Sequence, residues 1–245
     1  MPERSPVLLV GSTGRTGGRV LRQLLARGVE VRAIVRSAAR LPSGVSASPG
    51  LTIIEADVLA LGDADLQQHV RGVGAIVSCL GHTISLRGVF GPPRDLVTRT
   101  LTRLCGAVES VRPPQPVKVV LMSSVSVNRP RGFDVRRGLL ERAFLWLLCR
   151  LVPAANDNQR AADFLSRTIG NGSPFIEWVA VRPDTLVEGD VSEYVVHEAI
   201  THGLFSPGRT SMANVAHFMA ELVSNPETWA AWRFKLPVIT NVRTK

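Results

Sequence analysis

VLLVGSTGRTGGRVLRQLLARGVEVRAIVR, residues 7–36, reads as strand, glycine turn, helix and strand. Four apolar residues, 7–10, run into a turn that carries Gly11, Gly14 and Gly17. Val20, Leu21, Leu24 and Leu25 then fall on one helical face, and a second apolar run over 29–35 ends at Arg36. That order is the phosphate-cradling half of a dinucleotide-binding unit. A turn whose backbone approaches a pyrophosphate needs residues without Cβ, and the following helix N-terminus offers N–H donors to the anion. The spacing is G-x-x-G-x-x-G rather than G-x-G-x-x-G, so its weight comes from the strand–turn–helix context. The competing reading is a glycine-rich turn that binds nothing.

A chain of 245 residues with 45% hydrophobic content can build one large α/β core. We expect a single domain over 1–245, with 184–245 forming a small substrate-side lobe. The N-terminus has no apolar signal segment, and the longest strongly apolar stretch, 143–149, is too short to span a bilayer. A cytoplasmic chain with no membrane partner is expected. Cys79, Cys105 and Cys149 are widely spaced in apolar surroundings and read as small buried thiols. The formal charge of +9 is nearly all arginine, scattered rather than gathered in a tract, so nucleic acid is not the expected partner. A positive field does suit an anionic small molecule. His197, His202 and His217 have no ligand-spaced neighbours, and no metal site is expected.

Beyond Arg36 the alternation continues. Strands are predicted over 51–55, 74–79, 117–122 and 175–181, and helices over 65–70, 94–111, 158–169 and 211–223. The segment 37–50 reads as a connection and 84–93 as loop. This is the β–α repeat of a Rossmann-like, doubly wound parallel sheet. Residues 128–138 are basic and polar. The apolar helix 139–152 follows, with Leu140, Ala143, Phe144, Leu147, Leu148 and Leu151 in a wide stripe and Leu145 and Trp146 off its centre. It either packs on the body or serves as a lid or as the surface for a homodimer or protein partner. Trp229, Trp232 and Phe234 read as packing.

With GSTGRTG at 11–17, AIVR at 33–36, ADV at 56–58, SCLG at 78–81, SSVS at 123–126, VRPDTL at 181–186 and NVAHFMAEL at 214–222, the chain resembles the atypical short-chain dehydrogenase/reductase superfamily. Its NAD(P)-binding members related to NmrA-like regulators and to biliverdin-IXβ and flavin reductases are the nearest in pattern. The resemblance implies a dinucleotide held by Gly11, Thr13, Gly14, Arg15, Thr16 and Gly17. Asp57 and Val58 then lie near the adenine, and Leu80, Gly81, Ser123, Gln159, Arg182 and Pro183 along the remainder. Asp57 reads equally as a helix cap. Arg36 stands where an acid would bond the ribose 2′-hydroxyl, so NADP is expected over NAD.

Classical members of this superfamily use a serine near the end of the fifth strand and a tyrosine and lysine on the next helix, whereas the flavin- and biliverdin-reducing relatives manage without the tyrosine. Ser123 and Ser124 match the serine region, but the tyrosine and lysine positions hold Ala155 and Gln159. The only tyrosine is Tyr194, beyond the sixth strand, where it reads as packing. Ser124, His82, Asn156, Asp157 and Asn158 are the candidates to orient a small-molecule substrate, with Ser124, His82 and Asn158 foremost. Each has a plainer reading: a loop histidine, caps of the helix that follows 156–158, and serines bonding the chain as it leaves a strand. Arg182 either closes the pocket or forms a structural ion pair. The resemblance supports two functions: an NADPH-dependent reductase of a planar electrophile, and an NADP-binding regulator without turnover.

Overall fold

The first strand, β1 (Val7–Val10), is buried along its whole length, and the sheet grows outward from it in both directions. The structure, a computed structural model, describes residues 5–82, 91–128, 138–203 and 206–242. The loop expected over 84–93 and the basic segment over 128–138 fall largely outside the described residues, as does the side chain of Cys149.

After β1 come α1 (Arg15–Ala26), β2 (Val31–Val35), a 3₁₀ turn at Ala38–Arg40, β3 (Leu51–Glu55), α2 (Asp63–Val70) and β4 (Ala75–Ser78). Then follow α3 (Leu96–Val111), β5 (Val117–Met122), α4 (Leu139–Leu151), α5 (Pro153–Asp163, continued by a π-helical turn Phe164–Ile169) and β6 (Ile176–Pro183). The chain closes with β7 (Thr185–Val187), β8 (Tyr194–His197), β9 (Arg209–Ser211), α6 (Met212–Ser224), α7 (Pro226–Trp232) and β10 (Val238–Asn241).

Eight strands form one sheet in the order β3-β2-β1-β4-β5-β6-β10-β8. Every pairing is parallel except the last, where β8 runs antiparallel to β10. Strand order reverses between β1 and β4, which makes their carboxyl ends the ligand crevice of a doubly wound fold. Side chains alternate across the sheet, so both faces are apolar. Leu8, Val10, Ile76, Val119 and Leu121 meet α2, α3 and α5 on one side, whereas Val7, Leu9, Val77 and Val120 meet α1 and α6 on the other.

The β1–α1 turn is governed by close backbone contact. Gly11 has φ +84°, and a Cβ there would lie 2.6 Å from the Cys79 carbonyl carbon. At Gly17 a Cβ would sit 2.1 Å from the Gly11 carbonyl oxygen. Two of the three glycines thus serve packing of the turn against β4 and α1. Gly14 is the open one, where a Cβ would meet only the Gly11 oxygen, at 3.3 Å.

Helix α4 spans nearly the predicted range, and of the alternatives for its stripe the structure does not show packing on the body: Leu140 (82% exposed), Phe144 (45%), Leu147 (45%) and Leu151 (60%) turn outward, while Leu145 is 1% exposed. Two expectations are corrected. Helix α5 begins at Pro153, five residues before the predicted start, because proline there occupies the first helical turn, where its missing N–H costs nothing. The segment after Pro183 contributes more than a lobe. Strands β8 and β10 extend the main sheet and α6 covers one face of it, leaving only β7 and β9 as a separate two-stranded sheet. Strand β10 escaped prediction because its four apolar-to-polar residues carry no period of their own. Cys79 and Cys105 are buried free thiols, as expected, and burial pushes the Cys79 thiol up to about 12.

Gly17→Ala is expected to destabilise the chain by about 1–3 kcal/mol or more, because backbone cannot move aside for the new methyl. Gly14→Ala should cost roughly 1 kcal/mol or less by the same measure. Chemical denaturation of the two variants checks the difference; equal losses would contradict the packing account of Gly17.

Candidate active site and cofactor crevice

At the strand-order reversal, a cavity opens beyond the carboxyl ends of β1 to β4. It is lined by Gly11 and Thr13 after β1, Arg36 after β2, Asp57 and Val58 after β3, and Leu80 after β4, over a floor that includes Val10 and Ile34. Six residues named from sequence converge here. Arg36 is exposed and has no hydrogen bond or ion pair among the described residues. Asp57 caps no helix: its Oδ1 accepts from Leu59 N (2.9 Å) and its carbonyl from Ala60 N, closing a turn six residues ahead of α2.

The start of α1 has no side-chain cap, with Gly14 in the capping position. By contrast, Ser211 Oγ caps α6 and Asn225 Oδ1 caps α7. First-turn N–H groups without a capping side chain suit an anion. Four hydroxyls are buried without a partner among the described residues: that of Thr100 lies within α3, and those of Ser12, Ser78 and Ser123 lie at the carboxyl ends of β1, β4 and β5. Orphaned hydroxyls of this kind mark unfilled bonding capacity at one edge. These features fit a dinucleotide running along the crevice. Thr16 and Gly17 are buried in the first turn of α1. Arg15 projects outward and, with Arg19, pairs with Glu188: each guanidinium lies 2.5 Å from one oxygen of that carboxylate.

On the opposite side of β4, one buried carboxylate ties three elements together. Asp157, inside α5, accepts from Val97 N (2.8 Å), Thr98 N (2.9 Å) and Thr98 Oγ1 (2.6 Å) at the start of α3, and lies 2.9 Å from His82 Nε2. An accepting carboxylate makes Nε2 the donor. Asp157 therefore caps a helix, but not the one that follows it in sequence. It caps α3, sixty residues earlier, and anchors His82, whose side chain is 5% exposed. Asn156 and Asn158 sit mid-helix, exposed and half-buried respectively, and cap nothing.

The remaining candidates scatter. Gln159 grips the backbone of Asn128 in both directions, its Oε1 accepting from N (2.8 Å) and its Nε2 donating to O (3.2 Å), so its amide is engaged with protein. Ser124 Oγ accepts from Ser126 N, holding the exit of β5. Arg182 is fully buried, donating from Nε to the Leu236 carbonyl and from Nη1 to that of Val127. It is a structural tie rather than a pocket wall. Pro183 is buried beside it and Gly81 is exposed beyond β4. Sequence reasoning passed over Glu188, Arg19, Ser12 and Ser78. Ser12, inside the glycine motif, and Ser78, which opens the SCLG motif, carried a local signal; Glu188 and Arg19 carried none.

Tyr194 lies on the α1/α6 side of the sheet, with its hydroxyl 2.8 Å from His217 Nδ1 and its ring against Phe218. Burial first, then the Glu221 carboxylate, pushes its phenol from 10.0 to about 12. The folded state keeps the proton longer than the unfolded chain, so this contribution is complete below pH 10 and is lost as pH rises through 12. Because Tyr194 is the sole tyrosine, an absorbance titration of tyrosinate should place its midpoint near 12 in the folded chain and about two units lower after denaturation. Asp157→Ala should cost about 2–4 kcal/mol, since it orphans two backbone donors and His82. A loss under about 0.5 kcal/mol in denaturant unfolding, the range of an ordinary surface change, would contradict that role.

No described helix is long and apolar enough to cross a membrane. Among the described residues, no group of His, Cys, Asp and Glu could hold a metal ion. Comparison with known proteins agrees with the crevice. The chain is 28% identical over 213 residues to an uncharacterised chloroplastic protein of Arabidopsis thaliana, covering 81% of this chain and 71% of that one. It is 26% identical over 244 residues to the chloroplastic protein TIC 62 of Oryza sativa subsp. japonica, covering 92% of this chain but 44% of the relative. Among solved structures, an anaerobilin reductase from Escherichia coli O157:H7 superimposes with a TM-score of 0.66 at 18% identity, over 98% of both chains, a likeness of fold. A model of an NAD(P)H-binding family matches residues 11–226, which span the glycine turn, both sides of the crevice and α6. The chain belongs to that NAD(P)H-binding family.

Proposed function

We propose that this chain is an NADP(H)-dependent oxidoreductase that reduces a small or medium planar electrophile, such as a quinone, a flavin or a conjugated carbonyl, without a tyrosine–lysine pair. The observation that carries the cofactor choice is Arg36, exposed at the cavity rim with no acidic partner among the described residues. An arginine at that strand end matches a ribose 2′-phosphate, with which it can pair bidentately. Backbone donors of residues 13–17 would hold the pyrophosphate, Asp57 and Val58 would flank the adenine, and Leu80, Gly81, Ser123 and Pro183 would follow the chain of the cofactor toward its reactive end.

A reduced nicotinamide bound there supplies the hydride. The protein's part is to orient the acceptor and exclude water. Ser124 and Asn158 are assigned to orientation, and His82, held by Asp157, to a fixed wall beyond β4. Gln159 is engaged with Asn128, and no other side chain on α5 replaces the missing acid/base pair, so the reading favours acceptors that take their proton from solvent. The anaerobilin reductase supports this as an analogy of fold.

The second reading, an NADP-binding regulator without turnover, is favoured by the outward apolar stripe of α4, which a protein partner or a second copy would cover. Calorimetric titration with NADPH and NADH tests the common ground. NADPH should bind at least about tenfold more tightly, roughly 1.4 kcal/mol, and Arg36→Ala should remove most of that preference. Equal binding of both by the unaltered chain would sink the Arg36 assignment. Oxidation of NADPH by some member of a quinone and flavin panel would favour the reductase, and tight binding with no turnover the regulator.

A further inference from the structure

Glu188 immediately follows β7, and Gly189 after it holds φ +146°, a backbone conformation that favours glycine. Its two carboxylate oxygens are divided between Arg15 and Arg19, one turn apart on the outer flank of α1. This contact joins the β7–β9 pair to the helix that starts at the glycine turn. Beside it runs a groove that also reaches Arg22 and, beyond the end of β2, Arg40 and Pro42. The groove shares Thr13 with the cavity that holds Arg36. The two hollows thus meet at Thr13, with Arg36 lining one and Arg15, already paired with a carboxylate, lining the other. The pair is solvent-exposed, with side-chain exposure of 67% at Arg15 and 59% at Glu188, so it is screened and readily exchanged. A phosphate dianion offers more charge and more acceptor oxygens to a guanidinium than one carboxylate.

We propose that Glu188 is a specificity-determining latch: its carboxylate occupies Arg15 in place of a ribose phosphate, and an NADP(H) 2′-phosphate displaces it, releasing the β7–β9 pair from α1. This rests on the dinucleotide reading above. Glu188 does not touch the reacting atoms. It sets how strongly the chain prefers the phosphorylated cofactor, because NAD(H) has no phosphate to bring to that side and leaves the latch closed.

The test uses the full chain and Glu188→Gln, a substitution at an exposed position that keeps the fold. NADPH affinity should rise three- to tenfold at low salt, with NADH affinity changed less than twofold. Hydrogen exchange over 185–191 gives a second readout, independent of the dinucleotide. Glu188→Gln should exchange faster than the unaltered chain. Inorganic pyrophosphate should raise exchange in the unaltered chain toward that level, whereas sodium chloride of matched ionic strength should do so less. An unchanged or weakened NADPH affinity in the variant, or an equal gain for both cofactors, overturns the latch while leaving the dinucleotide reading intact. Failure of both proteins to bind NADPH, with pyrophosphate still releasing 185–191, overturns the dinucleotide reading and supports the displacement of Glu188 by phosphate.

Discussion

The carbonyl oxygen of Gly11 lies where a Cβ on residue 17 would have to be, 2.1 Å from its ideal position. That contact sets α1 close against the end of β1 and presses the turn against Cys79 and Leu80 at the end of β4. The carboxyl ends of the two central strands are brought together with a helix N-terminus over them. The crevice lies where it does because no side chain stands between these three backbones. The glycine signature is therefore first a packing requirement, and the anion-binding geometry follows from it. Gly14 alone remains open on the ligand side.

A second constraint operates across β4. Asp157 supplies the N-terminal cap of α3 from within α5, and the same carboxylate holds His82. A helix end, a helix interior and a strand exit are thus fixed by one buried group. The cost of burying a carboxylate is offset by four donors, a balance that removal of any one partner would upset. Arg182 does the same work with opposite charge, tying the approach to β10 and the exit of β5 through their carbonyls. Two charged side chains that a sequence reader would assign to chemistry are engaged in architecture.

The surface shows the reverse. The stripe Leu140, Phe144, Leu147 and Leu151 has the spacing of a buried helix face, yet it turns outward, and among the described side chains of α4 it is Leu145 that is buried in the body. Apolar spacing reports that a face is suited to contact; it does not say with what. The electropositive flank of α1 is similar. Its arginines suit an anion, and Glu188 is the one that meets two of them.

The parallel β–α alternation, the glycine turn and the absence of a tyrosine and lysine from the helix after β5 were legible in the sequence, because each is encoded locally. Strand runs are continuous and apolar, the motif residues are contiguous, and a residue type is either present at a position or missing. The tertiary structure alone decided which partners the polar groups chose. Asp157 reaches Val97, Gln159 reaches Asn128, Glu188 reaches Arg15, and Arg182 reaches Leu236, all across sequence separations that carry no periodic signal. A hydrogen bond or ion pair depends on ångström-scale placement of two distant backbones, which only the folded sheet provides.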